Sequence, residues 1–299
     1  MKNQSGQLGT HFFLILGMAL LGWVVFSLLG IFLIKVLFTI DVWSDPTALS
    51  NFADPDVVLA NKVFLLFQHL GLFIFPSLMY FWYCKREGVI NYQFQPINWK
   101  TGLWILGLMV LFFPALQWLV QWNQNVNFPD FLSDLELSFR AMEESALYAT
   151  ERMASIDGKG GFALNVVIMA ILPAVSEELL FRGALQPYFY RLWKNPHVAI
   201  WVSAILFSAL HFQFFGFFPR LVLGAFFGYT YFYSGSLLIP ILLHFANNLI
   251  ALISFTYLGM ELDAADLSIS EIIFSLLASA ALVYLGFRWV KQQGVKFKV

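Results

Sequence analysis

The chain has 299 residues, of which 60% are hydrophobic, 18% aromatic and only 12% charged. Soluble domains carry about 25% charged residues, so this composition is that of a polytopic membrane protein. The formal net charge of −1, with no basic tract, offers nothing to a nucleic acid, and the single cysteine, Cys84, excludes an intrachain disulfide and a cysteine-cluster metal site.

Eight apolar stretches reach the roughly 20 residues that a helix needs to cross a bilayer. They lie at about 11–38, 61–84, 101–122, 161–190, 197–215, 218–234, 236–257 and 270–290, and they define an all-α membrane protein. The first contains 23 uncharged residues from Phe12 to Ile34 with no small-residue cleavage site after it, so it reads as a retained span rather than a signal peptide. No repeat period or low-complexity tract divides the chain, and residues 1–299 read as one membrane domain with its motifs in about 160–250.

Charge sets the expected orientation. Lys85, Arg86 and Lys100 fall in one link, Arg191 and Lys194 in another, and Arg288, Lys291, Lys296 and Lys298 at the C-terminus. The alternate links are acidic, with four Asp in 41–56, seven Asp or Glu in 130–157 and four in 261–271. The basic excess therefore lies on one side, which predicts both termini in the cytoplasm and a location in the cell membrane.

Within the long outer link, Leu132, Leu135, Phe139, Met142 and Leu147 approach helical spacing with acids between them. This predicts an amphipathic helix over about 130–155 lying at the outer interface, or a solvated surface helix between spans.

The fourth span holds the most telling residues. From Phe162 to Tyr190 its only charges are Glu177, Glu178 and Arg182. A charge at bilayer depth costs at least ~2.5–3.5 kcal/mol on insertion-based scales, so such residues face a bundle interior or a wet cavity. On a helix Glu178 and Arg182 are i,i+4 neighbours and pair, while Glu177 points about 100° away and is left as the free carboxylate. Pro173, upstream, cannot donate to the carbonyl of Met169 and predicts a bend. The bland reading of the two glutamates is that they brace the bundle.

Two later spans add polar residues: His211 in Phe207-Ser-Ala-Leu-His211, and His244 with Asn248 in His244-Phe-Ala-Asn-Asn248. His244 and Asn248 share a helical face, whereas Asn247 is rotated off it. A lone intramembrane histidine is more often a hydrogen-bonded packing residue, which is the reading for His69; His11 and His197 lie near interfaces. At about 1.5 Å per residue, Glu177 and His211 each fall roughly 20 Å from the cytoplasmic ends of their spans and are level by that measure, whereas from the outer ends they disagree, at roughly 24 Å and roughly 6 Å.

These residues resemble a known family. Glu177-Glu178-Leu-Leu-Phe-Arg182 matches the EExxxR motif of the CAAX-protease and bacteriocin-processing (CPBP, or Abi) family of intramembrane endopeptidases. Phe207 to His211 matches its FxxxH motif and His244 to Asn248 its HxxxN motif, in the family's order and on separate predicted spans. The resemblance implies an intramembrane endopeptidase like the enzyme that trims prenylated CAAX proteins, acting on a membrane-associated peptide or protein. By the same resemblance Glu177 and His211 activate a water, His244 and Asn248 stabilise the oxyanion, and Arg182 holds Glu178. No metal cofactor is expected; the rival is zinc held by Glu177, His211 and His244, although no H-E-x-x-H run is present. A non-catalytic membrane protein of the same fold, such as an immunity factor or partner-binding scaffold, is the alternative function. Substrate identity, side of entry and oligomeric state stay open.

Overall fold

The computed structural model describes residues 2–86, 99–155 and 158–258, together with scattered positions between 269 and 284. Every regular element among the described residues is helical. The helices are α1 (Lys2–Phe38), α2 (Pro55–Arg86), α3 (Trp99–Gln124), α4 (Ser133–Ala154), α5 (Gly160–Trp193), α6 (Pro196–Ala209), α7 (Phe217–Ser234) and α8 (Leu238–Tyr257). Of these, α1, α2, α5 and α8 are long and apolar enough by themselves to cross a membrane. The expected spans 101–122 and 218–234 appear as α3 and α7; the eighth expected span, 270–290, lies for the most part outside the described residues. So does the basic C-terminus, one of the groups on which the orientation rests; of the others, Lys85 and Arg86 lie at the end of α2 and Lys100 at the start of α3.

The fifth span departs from expectation. A helix over 197–215 is replaced by α6, which ends at Ala209 after 14 residues. That is roughly 21 Å of helix, short of a ~30 Å hydrocarbon core. Beyond it, Phe212 takes a left-handed conformation (φ 53°) and a 3₁₀ turn follows at Phe214–Gly216. Asn123 at the end of α3 organises this turn: its amide donates to the Phe214 carbonyl (3.3 Å) and accepts from the Phe218 N–H (3.0 Å). A continuous apolar run hid this break from hydropathy, and His211 stands just past the end of α6 rather than inside a helix.

Four helix segments among the described residues widen to π geometry, at Leu70–Ile74, Val166–Ile171, Leu179–Leu185 and Ser254–Leu258, and the first three end just before a proline. The N–H groups of Phe75, Leu172 and Gln186, which immediately precede Pro76, Pro173 and Pro187, bond five residues back to Leu70, Val167 and Phe181. A proline offers no N–H and its ring crowds the carbonyl four residues back, so a wider turn relieves both defects without breaking the helix. The bend expected at Pro173 thus takes the form of a π turn, and a second one follows Glu178.

The bundle is built around α5. Every residue from Ser176 to Phe189 is buried, whereas α1 presents much of its apolar surface outward, as lipid-facing helices do. The helices α1 and α2 cross at Gly22 and Gly71, where a Cβ on either glycine would collide with the other's carbonyl oxygen. One apolar cluster joins Tyr80, Phe181, Ala184 and Phe207 around α5; another joins Met109, Phe112 and Leu116 of α3 to Phe227 and Leu243. Between α7 and α8 the chain reverses at Gly235 (φ 65°) with Ser236 and Leu237 buried, so this turn is packed inside the protein.

The helix expected over 130–155 is present as α4, but its inward side is not the apolar stripe. Leu135, Met142 and Leu147 are exposed, while Glu136, Phe139, Arg140 and Glu143 face the protein. Phe139 stacks on Phe214 (5.5 Å, 11°) and the Arg140 guanidinium lies over the Phe215 ring (4.3 Å). Glu136 pairs with Arg140 and accepts the Phe128 N–H (2.7 Å), fastening the start of α4 to the end of the preceding link. The helix therefore packs on the 3₁₀ turn that follows His211.

Candidate active site

The centre of the site is a chain of charged and polar contacts running across α5, α7 and α8. Arg182 donates from Nη1 to Glu178 Oε1 (2.7 Å) with both side chains essentially unexposed, and from Nη2 to the Gly224 carbonyl (2.6 Å). Three rings surround the guanidinium, with centroids 5.9 Å (Phe181), 4.9 Å (Phe207) and 5.5 Å (Phe227) away. The i,i+4 pairing expected from the sequence is therefore present, and Arg182 also ties α5 to α7.

His244 on α8 bridges the two glutamates. Its Nδ1 donates to Glu178 Oε1 (2.9 Å), because a carboxylate oxygen can only accept, and its Nε2 lies 3.9 Å from Glu177 Oε2. The ring is clamped between Phe227, stacked at 5.1 Å, and Phe207, edge-on at 5.8 Å. Glu178 Oε1 thus serves two partners, while Oε2 of each glutamate is buried with no hydrogen-bond partner. Of the two side chains Glu177 retains 9% exposure and Glu178 none.

His211 is held at the end of α6 by a hydrogen bond from Nδ1 to the Phe207 carbonyl (2.8 Å), and its ring meets Phe207 edge-on at 5.2 Å. A carbonyl accepts only, so Nδ1 carries the proton and Nε2 is the nitrogen left for chemistry. Phe207 therefore touches His211, His244 and Arg182 alike, which explains physically why an aromatic residue stands four positions before the histidine. Asn248 accepts at Oδ1 from Asn247 Nδ2 (3.3 Å), leaving its own amide hydrogens for another acceptor.

Two residues not singled out as functional from the sequence belong to this neighbourhood. His69, read there as a packing histidine, hydrogen-bonds through Nδ1 to Ser176 Oγ (2.7 Å), directly before Glu177, and lies within electrostatic reach of His211 and His244. Arg220, near the start of α7, acts electrostatically on Glu177 and His211 and donates from Nη1 to Gln213 Oε1 (2.7 Å). A charge beside Pro219 in a Phe-rich stretch was the available signal for Arg220; no motif flags it. Among the described residues no group of three or more His, Cys, Asp or Glu is placed to hold a metal ion.

The arrangement defines a helical membrane protein with a buried cluster of two glutamates, an arginine and a histidine. Residues 159–250 match the Rce1-like family, described as type II CAAX prenyl endopeptidase Rce1-like. That segment contains all three motifs, and the resemblance to the CAAX-protease and bacteriocin-processing family is borne out there. The chain is also similar to the "Uncharacterized protein YpbD" of Bacillus subtilis (strain 168), at 29% identity over 85 residues, 27% of this chain and 40% of the relative. The matched part thus spans well under two thirds of that relative's length. No solved structure matches the chain.

Proposed function

We propose that the protein is an intramembrane endopeptidase that hydrolyses a peptide bond of a membrane-associated protein or peptide, with Glu177 as the general base. The observation that carries this reading is the difference between the adjacent glutamates: Glu178 is unexposed and its Oε1 accepts from both Arg182 and His244, while Glu177 keeps 9% side-chain exposure and has His244 Nε2 no nearer than 3.9 Å.

In this reading a water is held between Glu177 and the free Nε2 of His211. Glu177 takes a proton as the water oxygen attacks the scissile carbonyl carbon, and the C–N bond then breaks as that proton passes to the leaving amine. The oxyanion is met by Asn248 and by Nε2 of His244. Because Nδ1 of His244 donates to Glu178, Nε2 donates to the oxyanion only when it too carries a proton. One well-placed donor contributes roughly 3–4 kcal/mol to such a step. Arg182 acts indirectly, by fixing Glu178 and through it the His244 ring.

A CAAX-type prenylated peptide is the substrate class the family match favours. The test is cleavage of a farnesylated peptide by purified protein in detergent or nanodiscs, comparing wild type with Glu177→Gln and His211→Ala, each with and without chelator. Loss of cleavage in both variants, indifferent to chelator, supports the mechanism. Full activity of Glu177→Gln would end it, and wild-type activity lost on chelation and restored by zinc would favour a metal site. A wild-type protein inert to every such peptide would return the scaffold reading to first place.

A further inference from the structure

Glu177 stands on a short piece of helix with a widened joint at each end. Leu172–Glu178 is a seven-residue α-helical stretch of α5 between the π turns Val166–Ile171 and Leu179–Leu185. Each π turn shifts the helical phase across it, so the backbone ladder of α5 alone does not fix where residue 177 points. Side chains on either side of Glu177 supply the missing restraint. Glu178 accepts from Arg182 and from His244. Ser176, entirely buried, meets His69 of α2 at 2.7 Å between Oγ and Nδ1. The Ser176 hydroxyl spends its proton on the Pro173 carbonyl (3.3 Å), so Nδ1 of His69 is the donor. A second tie from α2 lies upstream: Lys62 donates to Asn165, which donates in turn to the Ala154 carbonyl (2.9 Å). Asn165 directly precedes the first π turn and Ser176 lies beyond it, so α2 bridges that joint.

We propose that His69 is a positioning residue for the general base: by holding Ser176 it sets the rotation of the Leu172–Glu178 stretch, and with it the direction of the Glu177 carboxylate. The anchors at 176 and 178 lie about 100° to either side of residue 177, so together they stop the stretch from turning either way. With one removed, the other becomes a pivot. His69 acts through Ser176 and not on the substrate, and a displacement of about 1 Å at a catalytic group is enough for a roughly 10²-fold loss of rate. The inference rests on the endopeptidase reading, and its experiment separates the two.

Cleavage of a farnesylated peptide is measured in nanodiscs for wild type, His69→Leu, His69→Asn, His69→Gln, Ser176→Ala and the His69→Leu/Ser176→Ala double variant. His69→Leu and Ser176→Ala should each lower kcat by about 10–100-fold with KM unchanged, and the double variant should fall no further than either single one, as members of one pair do. Asparagine carries its amide nitrogen where Nδ1 stood and glutamine where Nε2 stood, so His69→Asn should recover most of the lost rate and His69→Gln should not. A merely structural histidine would not distinguish the two amides. The carboxyl resonance of Glu177 in protein carrying isotope-labelled glutamate, assigned by its absence in Glu177→Gln, should move in His69→Leu and return in His69→Asn. Wild-type kcat in His69→Leu, equal losses in the two amide variants, or losses that multiply in the double variant would overturn the positioning role and leave the peptidase. A wild-type protein that cleaves nothing would end the peptidase reading; the resonance then decides alone, supporting the clamp if it moves and returns as described and overturning it if it stays put.

Discussion

Replacing Arg182 by methionine tests how the buried cluster is held. Methionine keeps the unbranched volume but removes the charge, the hydrogen bond to Glu178 (2.7 Å) and that to the Gly224 carbonyl (2.6 Å). Glu178 is then left with His244 Nδ1 alone, since its Oε2 already has no partner. Removing one member of a buried ion pair costs about 3–5 kcal/mol, because the remaining charge stays out of water. Contacts with the Phe181, Phe207 and Phe227 rings contribute up to roughly 2 kcal/mol in a desolvated setting, although the two losses do not simply add. The expected destabilisation of Arg182→Met is therefore about 4 kcal/mol, and the Glu178→Gln/Arg182→Met double variant should recover roughly half of it because no unpaired charge remains. Equilibrium unfolding in mixed micelles, followed by tryptophan fluorescence, measures both. Interhelical hydrogen bonds in membrane proteins average only about 0.6 kcal/mol. A loss of that size in Arg182→Met, or a double variant no more stable than the single one, would refute the claim that this pair is a buried, mutually dependent unit.

The other expectations concern chemistry, packing and the interfacial helix. Glu177→Gln should lower kcat on a cleaved peptide by about 10²–10⁴-fold with unchanged unfolding behaviour, as loss of a general base does; an equal fall in stability would mean the glutamate braces the bundle instead. Gly71→Val should destabilise by about 1–3 kcal/mol through a forced separation of α1 and α2, as overpacking does, and a wild-type unfolding midpoint would contradict the close crossing at Gly22. Pro173→Ala, which restores the missing donor, should let the π turn at Val166–Ile171 relax toward α geometry, lowering kcat while stability holds or rises; unchanged kcat would detach the π turn from catalysis. The Glu136 carboxyl is held below its ordinary value of 4.5 by the Phe128 N–H and then by Arg140. That contribution is present above the ordinary value and is lost as pH falls through the lowered one, so a fluorophore at exposed Leu137 should report loosening of α4 only in acid. The same transition in Glu136→Gln would remove Glu136 as its cause.

What the sequence could disclose was local, and the cases divide by distance along the chain. Spacing of four residues was enough to pair Glu178 with Arg182, because the i,i+4 relation survives any placement of the helix. The same helical phase left Glu177 as the free carboxylate, and its Oε2 makes no hydrogen bond; what spacing within α5 cannot foretell is His244, which touches Glu178 and comes within 3.9 Å of Glu177 from a different helix. The fifth span was overextended because hydropathy sees Phe212 to Phe218 as membrane-like, whereas Asn123, nearly a hundred residues earlier, supplies the hydrogen bonds that let the backbone turn there. In α4 the apolar residues were legible and their direction was not. Charged groups usually turn to solvent, but Glu136, Arg140 and Glu143 turn inward because partners on the Phe128 and Phe214–Gly216 segments await them. Motifs thus located the residues that act through their own helix, and the three-dimensional structure was needed for those whose meaning lies in a partner elsewhere. Arg220 is the extreme case: it has no motif and no periodicity, and only the folded chain brings it within electrostatic reach of Glu143 and Glu177.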